Sequence, residues 1–514
     1  MYLISGIIFL CTTLTVHHAA KILAVFPVCS KSHFTPGFIL MKELAQRGHE
    51  ITFINAFPQK EPIKNLRDIS VEEVKTSLAG FLNNEKLTSL RKMNYWNVME
   101  FVSTLGETYT EVVLRNQNVQ NLLNSGEKFD LVIMEHFWNE ALAIFAHRFN
   151  CPLVYFATGP VSIFNSHLIA NPTYSSYIPN FLTTLGSQMN FLERLKNLFV
   201  NILCVTYAEF KSIPKQNALL KATFPDSPNL ENIVYNASLM FVVSHISIHD
   251  PLPLQPSIKY IGGHHVGSLK PLPIKIKQFM ENASEGVIVF SLGSILRSCD
   301  LTFQQKEVIL NVFSKMKQKI LWKYERDLDG LPRNVMISNW LPQQEVLAHP
   351  NTVAFIGHGG LLGVMESVYF GVPILGIPTY WDQYKNIEDV VRRGMAVKLN
   401  LHDLTEETFS NALNEILNNP KYRDNAKLRS KIMQDQPVKP LDEAVFWVEY
   451  VIRHKGAPHL KSAALHLTWY QKYLIDIVLF VGFLVITISF FILFIMKYIF
   501  FNSKVYVSDH EKNK

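Results

Sequence analysis

The chain predicts two doubly wound α/β domains facing a cleft, followed by one C-terminal transmembrane helix. Three observations carry that expectation. Short apolar strands alternate with helical stretches in both halves of the chain. A stretch rich in proline, with Pro251, Pro253, Pro256, Pro271 and Pro273, separates the two series. Near the end, Ile477 to Met496 runs without a charge, and at about 1.5 Å per residue it spans about 30 Å, the thickness of a bilayer core.

At 514 residues the chain exceeds what one core usually organises. With 48% hydrophobic and 18% charged residues it is neither disordered nor fibrous. The net charge of +6 is spread along the chain rather than gathered in a block, which argues against a nucleic-acid partner. Met1 to Ala20 reads as a signal peptide, apolar from Leu3 to Leu14 and ending in Ala19 and Ala20 before Lys21. Lys497, Lys504, Lys512 and Lys514 follow the apolar run, which expects a cytosolic tail and a lumenal body. The sequons at Asn236 and Asn282 are compatible with that compartment. Five cysteines, widely spaced, spell neither a disulfide framework nor a zinc site.

Along the mature chain, Lys21 to Pro27 reads as a buried strand, Pro36 to Arg47 as a helix stopped by Gly48, and Glu50 to Ile54 as a second strand. Phe129 to Met134 and Pro152 to Phe156 are further strands around a helical stretch at 139–149, with largely helical insertions at 55–128 and 161–232. A second series places strands at Gly286 to Phe290, Lys319 to Tyr324, Val335 to Ser338, Val353 to Ile356 and Val372 to Gly376. The expected division is a signal peptide at 1–20, a first domain at 21–250, a linker at 251–282, a second domain at 283–455, a membrane-proximal segment at 456–476, the span at 477–496 and a tail at 497–514.

Anion binding in such folds needs small residues after a strand, where backbone amides and a helix N-terminus approach the ligand. The turn after the first strand, Val28 to His33, holds no glycine, so an NAD-dependent oxidoreductase is a poor reading. In the second half, Ser291 to Ser294 and Gly357 to Gly360 both follow strands and carry glycines. Glycine spacing alone leaves nucleotide binding and plain turn chemistry both open. His245, His249, His264 and His265 lack clear acidic or cysteine co-ligands and read as surface or sheet histidines, with no metal implied.

The segments WLPQQEVLAHPNTVAFIGHGG from Trp340, ESVYFGVPILGIPTYWDQYKN from Glu366, and DQPVKPLDEAVFWVEYVIRHKGAPHL from Asp435 stand in the order of a known signature. With the SHFTPG segment, the FSLGS turn and the single apolar span, the chain resembles the animal UDP-glycosyltransferase family, in an invertebrate-type form, over nearly its whole length. The resemblance implies two Rossmann-like domains of the GT-B type, an inverting transferase, an acceptor bound by the first half and a UDP-sugar by the second. The UDP-sugar is a co-substrate, so no cofactor is implied. It further implies a single-pass protein of the endoplasmic reticulum membrane with lumenal catalytic domains; homo- or hetero-oligomeric assembly stays open.

Carried over residue by residue, Trp340 is similar to the aromatic that stacks on uracil, Gln343 to a base or ribose partner and Glu366 to the ribose-binding carboxylate. Ser291, Ser294, His358, Gly359 and Gly360 match the pyrophosphate turns, and Asp382 and Gln383 the pair that holds sugar hydroxyls. His33, expected in the loop after the first strand, aligns with the catalytic base, a role suited to imidazole. Its carboxylate partner is expected at Glu135, where the family has aspartate, and less at Asp130, which starts the strand. Gly357 stands where many members have threonine, and Leu362 where vertebrate members often have asparagine, so phosphate contact would rest on backbone amides. Lys323 stands where vertebrate glucuronosyl members often have arginine; it keeps the charge and loses the fork. These features favour UDP-glucose over UDP-glucuronate as donor. Small lipophilic acceptors are expected against Tyr95, Trp96, Phe101, Tyr109, Phe137 and Trp138, in detoxification or metabolism. A membrane-tethered binding protein that kept the fold and lost the chemistry is the rival reading.

Overall fold

The computed structural model describes residues 19–78 and 93–512. All but the end of the expected signal peptide lies outside the described residues. The first 461 residues form one compact unit, and Ser462–Lys514 a second.

The first sheet takes β1 (Lys21–Phe26), β2 (Glu50–Asn55), β3 (Leu66–Ser70), β4 (Leu131–Glu135), β5 (Leu153–Ala157), β6 (Leu239–Val242) and β7 (Ile258–Tyr260). They run in the order β3-β2-β1-β4-β5-β6-β7, every pairing parallel. Its inner strands are apolar almost throughout, as burial on both faces requires. The second sheet takes β8 (Val287–Ser291), β9 (Lys319–Lys323), β10 (Val335–Ser338), β11 (Thr352–Gly357), β12 (Ile374–Gly376) and β13 (Ala396–Lys398). Its order is β10-β9-β8-β11-β12-β13, again parallel. Two doubly wound α/β layers are thus present, as the sequence expects.

The helices that matter for the site are α1 (Lys31–Gln46), α2 (Tyr95–Arg115), α3 (Phe191–Tyr207), α4 (Ile274–Glu281), α5 (Leu361–Tyr369), α6 (Gln383–Arg392) and α7 (Pro440–Arg453). One apolar cluster runs through both halves, from Phe26, Phe53 and Phe156 to Val289, Phe355 and Ile374. α7 closes it by returning to the first half. Asp442 pairs with Arg47, Glu449 stands 3.4 Å from His49, and Lys259 lies over the Trp447 ring at 3.5 Å. In the second unit, α8 (Ile475–Lys512) contains Ile475–Phe500, long and apolar enough to cross a membrane.

Several expectations need correction. α1 begins at Lys31 rather than Pro36, because Ser30 is the extended residue before it and its carbonyl accepts from both His33 and Phe34. Pro36, read as a first-turn residue, sits inside the helix, beyond the first turn, where its missing N–H leaves the Ser32 carbonyl without its usual helical donor. The 251–282 segment is not free of regular structure: it supplies β7 and α4. β3, β6 and β13 were not foreseen; β3 and β13 are sheet edges, short and mixed in polarity. The four histidines read as surface or sheet residues are buried, and His264 Nε2 lies 3.0 Å from the Pro36 carbonyl.

α1 can lie close on the sheet only because residue 37 is glycine: an added Cβ would stand 2.2 Å from Cε1 of Phe26. That ring is fixed edge-on by Phe53 and Phe156. Gly37→Ala should therefore lower the urea midpoint of the detergent-solubilised protein, with a cost of about 1–3 kcal/mol.

Candidate active site

In a parallel sheet the loops diverge where the strand order reverses, and a crevice opens at the strands' carboxyl ends. In the first sheet that point lies between β1 and β4. The turn after β1 leads to His33 and β4 ends on Glu135, so sheet topology alone brings the two together. His33 sits in the first turn of α1, not in a loop as expected, and a helix holds it more rigidly than a loop would.

His33 Nδ1 lies 2.6 Å from Glu135 Oε1. The histidine side chain is 23% exposed and the glutamate 0%. An ionised carboxylate only accepts, so Nδ1 donates and Nε2 keeps its lone pair. The second oxygen of Glu135 accepts from the Val28 amide at 3.4 Å. Thr158 Oγ1 stands 2.9 Å from the same Nδ1, and Phe137 meets the imidazole edge to face at 5.0 Å. Asp130 is occupied elsewhere, accepting from the Lys21 amide at 2.8 Å.

The second sheet reverses between β8 and β11, where the two glycine turns lie. Gly293 and Gly359 have φ of 92° and 86°, open to glycine at no steric cost. Space demands glycine as well: a Cβ on Gly293 would lie 2.5 Å from His358 Cε1, and one on Gly360 2.5 Å from its Nε2. The imidazole is thus wedged between the turns. Burial, helped by the nearby Lys323 charge, pushes it down to about 4, so it is neutral near pH 7 and offers an N–H. Ser291 is buried and accepts from the Gly293 amide at 3.3 Å, whereas Ser294 is exposed. Lys323 pairs with Glu325 at 2.5 Å.

Glu366, on α5, is buried. It accepts from Gln343 Nε2 at 2.6 Å and from Gln344 Nε2 at 3.2 Å. Burial pushes its carboxyl up to about 7, the two amide donors opposing. Trp340 is 62% exposed and lines the same cleft. Asp382 opens α6 without capping it; burial raises its carboxyl, with Asn386 and His33 acting the other way. Asn386 donates to Asp382 Oδ2 at 2.7 Å and to the Gly359 carbonyl at 3.0 Å, tying the end of β11 to α6. Gln383 Oε1 is taken by Thr379, whose amide and hydroxyl donate at 3.0 and 2.8 Å, so what Gln383 retains for a ligand is its Nε2.

One cleft of about 1350 Å³ is lined by His33, Ser291, Ser294, Lys323, Trp340, Gln343, His358, Gly359, Gly360, Glu366, Asp382 and Gln383. Of the expected catalytic and donor-binding residues, Glu135 alone stands behind that wall. Among the expected aromatics, Phe101, Tyr109, Phe137 and Trp138 line the cleft. Tyr95 and Trp96 do not; they pack on the outside of a buried cluster around Val200 and Tyr207. Thr158, Gln344, Trp381 and Asn386 were missed. Asn386 could have been found, since it stands one helical turn after Asp382; Thr158 could have been found as a strand-end residue beside β4.

A family model described as "UDP-glucoronosyl and UDP-glucosyl transferase" matches residues 20–513. The chain is 37% identical over 487 residues to UDP-glucosyltransferase 2 of Dactylopius coccus, covering 94% of this chain and 93% of that one. It is 31% identical over 484 residues to human UDP-glucuronosyltransferase 2B7, covering 91% and 90%. In fold it is similar to CalG4, the calicheamicin glycosyltransferase, with TM-score 0.56 and 18% identity over 85% of this chain and 99% of that one. The glycosyltransferase of kitacinnamycin matches equally, with TM-score 0.56 and 18% identity over 84% and 99%. The two sheets therefore form a GT-B glycosyltransferase fold.

If the Glu366 carboxylate accepts ribose hydroxyls, UDP-glucose affinity should be constant above about pH 8 and fall as pH drops through about 7, where Glu366 takes up a proton. UDP-glucose is the right probe because its diphosphate is doubly esterified and does not titrate there. Calorimetric titration should show this slope in the wild type, and a weaker, pH-independent affinity in Glu366→Gln.

Proposed function

Since this chain belongs to the UDP-glucoronosyl and UDP-glucosyl transferase family, we propose that it transfers glucose from UDP-glucose, with inversion, to a hydroxyl of small lipophilic acceptors in detoxification or metabolism. The observation that carries the reading is the buried Glu135 carboxylate 2.6 Å from the Nδ1 of His33, whose ring faces the same cleft as the two glycine turns.

The acceptor O–H gives its proton to His33 Nε2 as its oxygen bonds to the sugar's anomeric carbon. The bond from that carbon to the β-phosphate oxygen breaks on the opposite face, and UDP leaves. Glu135 holds the tautomer and stabilises the imidazolium that forms. The charge gathering on UDP meets Ser291, Ser294, the neutral His358 N–H and the amides at the start of α5. Trp340 and Gln343 take the uracil and ribose side, Glu366 two ribose hydroxyls, and Asp382 with Gln383 the sugar. UDP-glucose is favoured because Lys323 already spends its charge on Glu325, leaving less for a glucuronate carboxylate, and because a relative bears a glucosyltransferase name. The apolar helix Ile475–Phe500 supports a single-pass anchor, and we assign the catalytic body to the lumen of the endoplasmic reticulum.

In microsomes expressing the whole chain, UDP-glucose and a simple phenol should give acceptor-dependent UDP release, and His33→Ala should lower it about 10²–10⁴-fold. Release with UDP-glucuronate alone would reverse the donor assignment; none with either donor would favour a binding protein. Asn282 and Asn236 are exposed. Lumenal orientation predicts a mass decrease on endoglycosidase H treatment that Asn282→Gln combined with Asn236→Gln abolishes, and an untreated mass already equal to that of the double variant would place the body on the other side.

A further inference from the structure

We infer that Trp381, carried by the donor-side half, is a specificity-determining residue for the acceptor, completing an aromatic cage that selects planar aromatic hydroxyl compounds. The inference rests on the glycosyl-transfer reading above and assigns the acceptor side of that site partly to the half expected to bind only the donor.

Trp381 has φ of 54°, the left-handed region, which a bulky residue adopts only where its surroundings hold it. What holds it belongs to the first half. Its ring meets Phe181 at 5.6 Å and 67°. Phe181 meets Phe164 at 6.0 Å, and Phe164 meets Trp138 at 4.3 Å. All four rings line the cleft, on the side where His33 and Phe137 also stand. Rings packed edge to face form a cleft wall whose exposed edges and faces match the quadrupole of another flat ring, and they offer a puckered aliphatic ring much less.

A second grip fixes the same wall. At the far end of α6, Arg392 donates to the Thr184 carbonyl at 3.1 Å and to that of Leu185 at 3.5 Å. The guanidinium is itself held by the wholly buried Asp389, which also accepts from Lys385 at 2.7 Å. The segment that carries Phe181 is therefore fastened to α6 at both ends of the helix. The first of these attachments is the residue immediately before Asp382. An acceptor ring seated against Trp381 is thereby placed in fixed register with the sugar.

The test uses the full chain in detergent, with equilibrium dialysis of 1-naphthol, which needs no turnover, beside steady-state kinetics with 1-naphthol and the non-planar alcohol menthol. Trp381→Ala should weaken 1-naphthol binding about tenfold, change menthol much less, and leave the KM for UDP-glucose within about twofold. Trp381→Phe should recover most of the loss. Arg392→Ala, outside the cleft, should weaken 1-naphthol binding several-fold with the donor KM unchanged, and it carries the test if Trp381→Ala does not fold. Unchanged 1-naphthol affinity, equal losses for both alcohols, or a matching rise in donor KM would overturn the inference. A wild-type protein that binds 1-naphthol in this pattern yet releases no UDP would remove the transfer reading and leave the cage standing.

Discussion

A parallel sheet wound in both directions must reverse its strand order somewhere, and this chain places its chemistry at the two reversals. The constraint is topological before it is chemical. Between β1 and β4 the connections part, so the residues that end those strands face each other across open space. A histidine and a carboxylate from positions 33 and 135 meet there without either backbone being strained. The same geometry between β8 and β11 sets two glycine turns side by side, and the His358 ring fills the gap between them. Neither arrangement needs long loops, which is why the reactive groups stand on rigid elements.

Polar burial is the recurring cost of this design. Glu366, His358 and Asp382 are each pushed toward their neutral forms by the surroundings that shape the cleft. Each is compensated incompletely: two amides reach Glu366, and one reaches Asp382. Groups left partly unsatisfied by the protein are those a ligand's hydroxyls and phosphates can satisfy, so stability foregone by the protein alone is available as affinity. Asn386 shows the complementary case. It bridges Asp382 to the Gly359 carbonyl and joins the start of α6 to the glycine turn after β11.

Much of this was legible in the sequence because buried parallel strands are nearly continuous apolar runs, and those between β1 and β12 stand out wherever they are long. β13 and β7, three residues each at the sheet edges and mixed in polarity, carry too little pattern to be seen. The site residues that end or follow strands, such as Ser291, His358 and Glu135, lie where strand ends and the family resemblance together put them. The start of α1 could not be placed, since proline favours the first turn, so Pro36 points to a later start, and only the Ser30 carbonyl's two hydrogen bonds reveal the earlier one. Trp381 was illegible for a different reason. Its partners lie about two hundred residues away in sequence, and nothing local marks a tryptophan as left-handed.

The return of α7 to the first half has a consequence for how the molecule is made. Arg47 and Asp442 are separated by 395 positions, and α7 lies over apolar residues of α1 that are synthesised long before it. A chain emerging from the ribosome completes its first sheet long before the helix that covers it exists. That face must wait uncovered, or guarded by a chaperone, until the helix at Pro440–Arg453 has been made, so closure of the core belongs to late synthesis however early its first strands form.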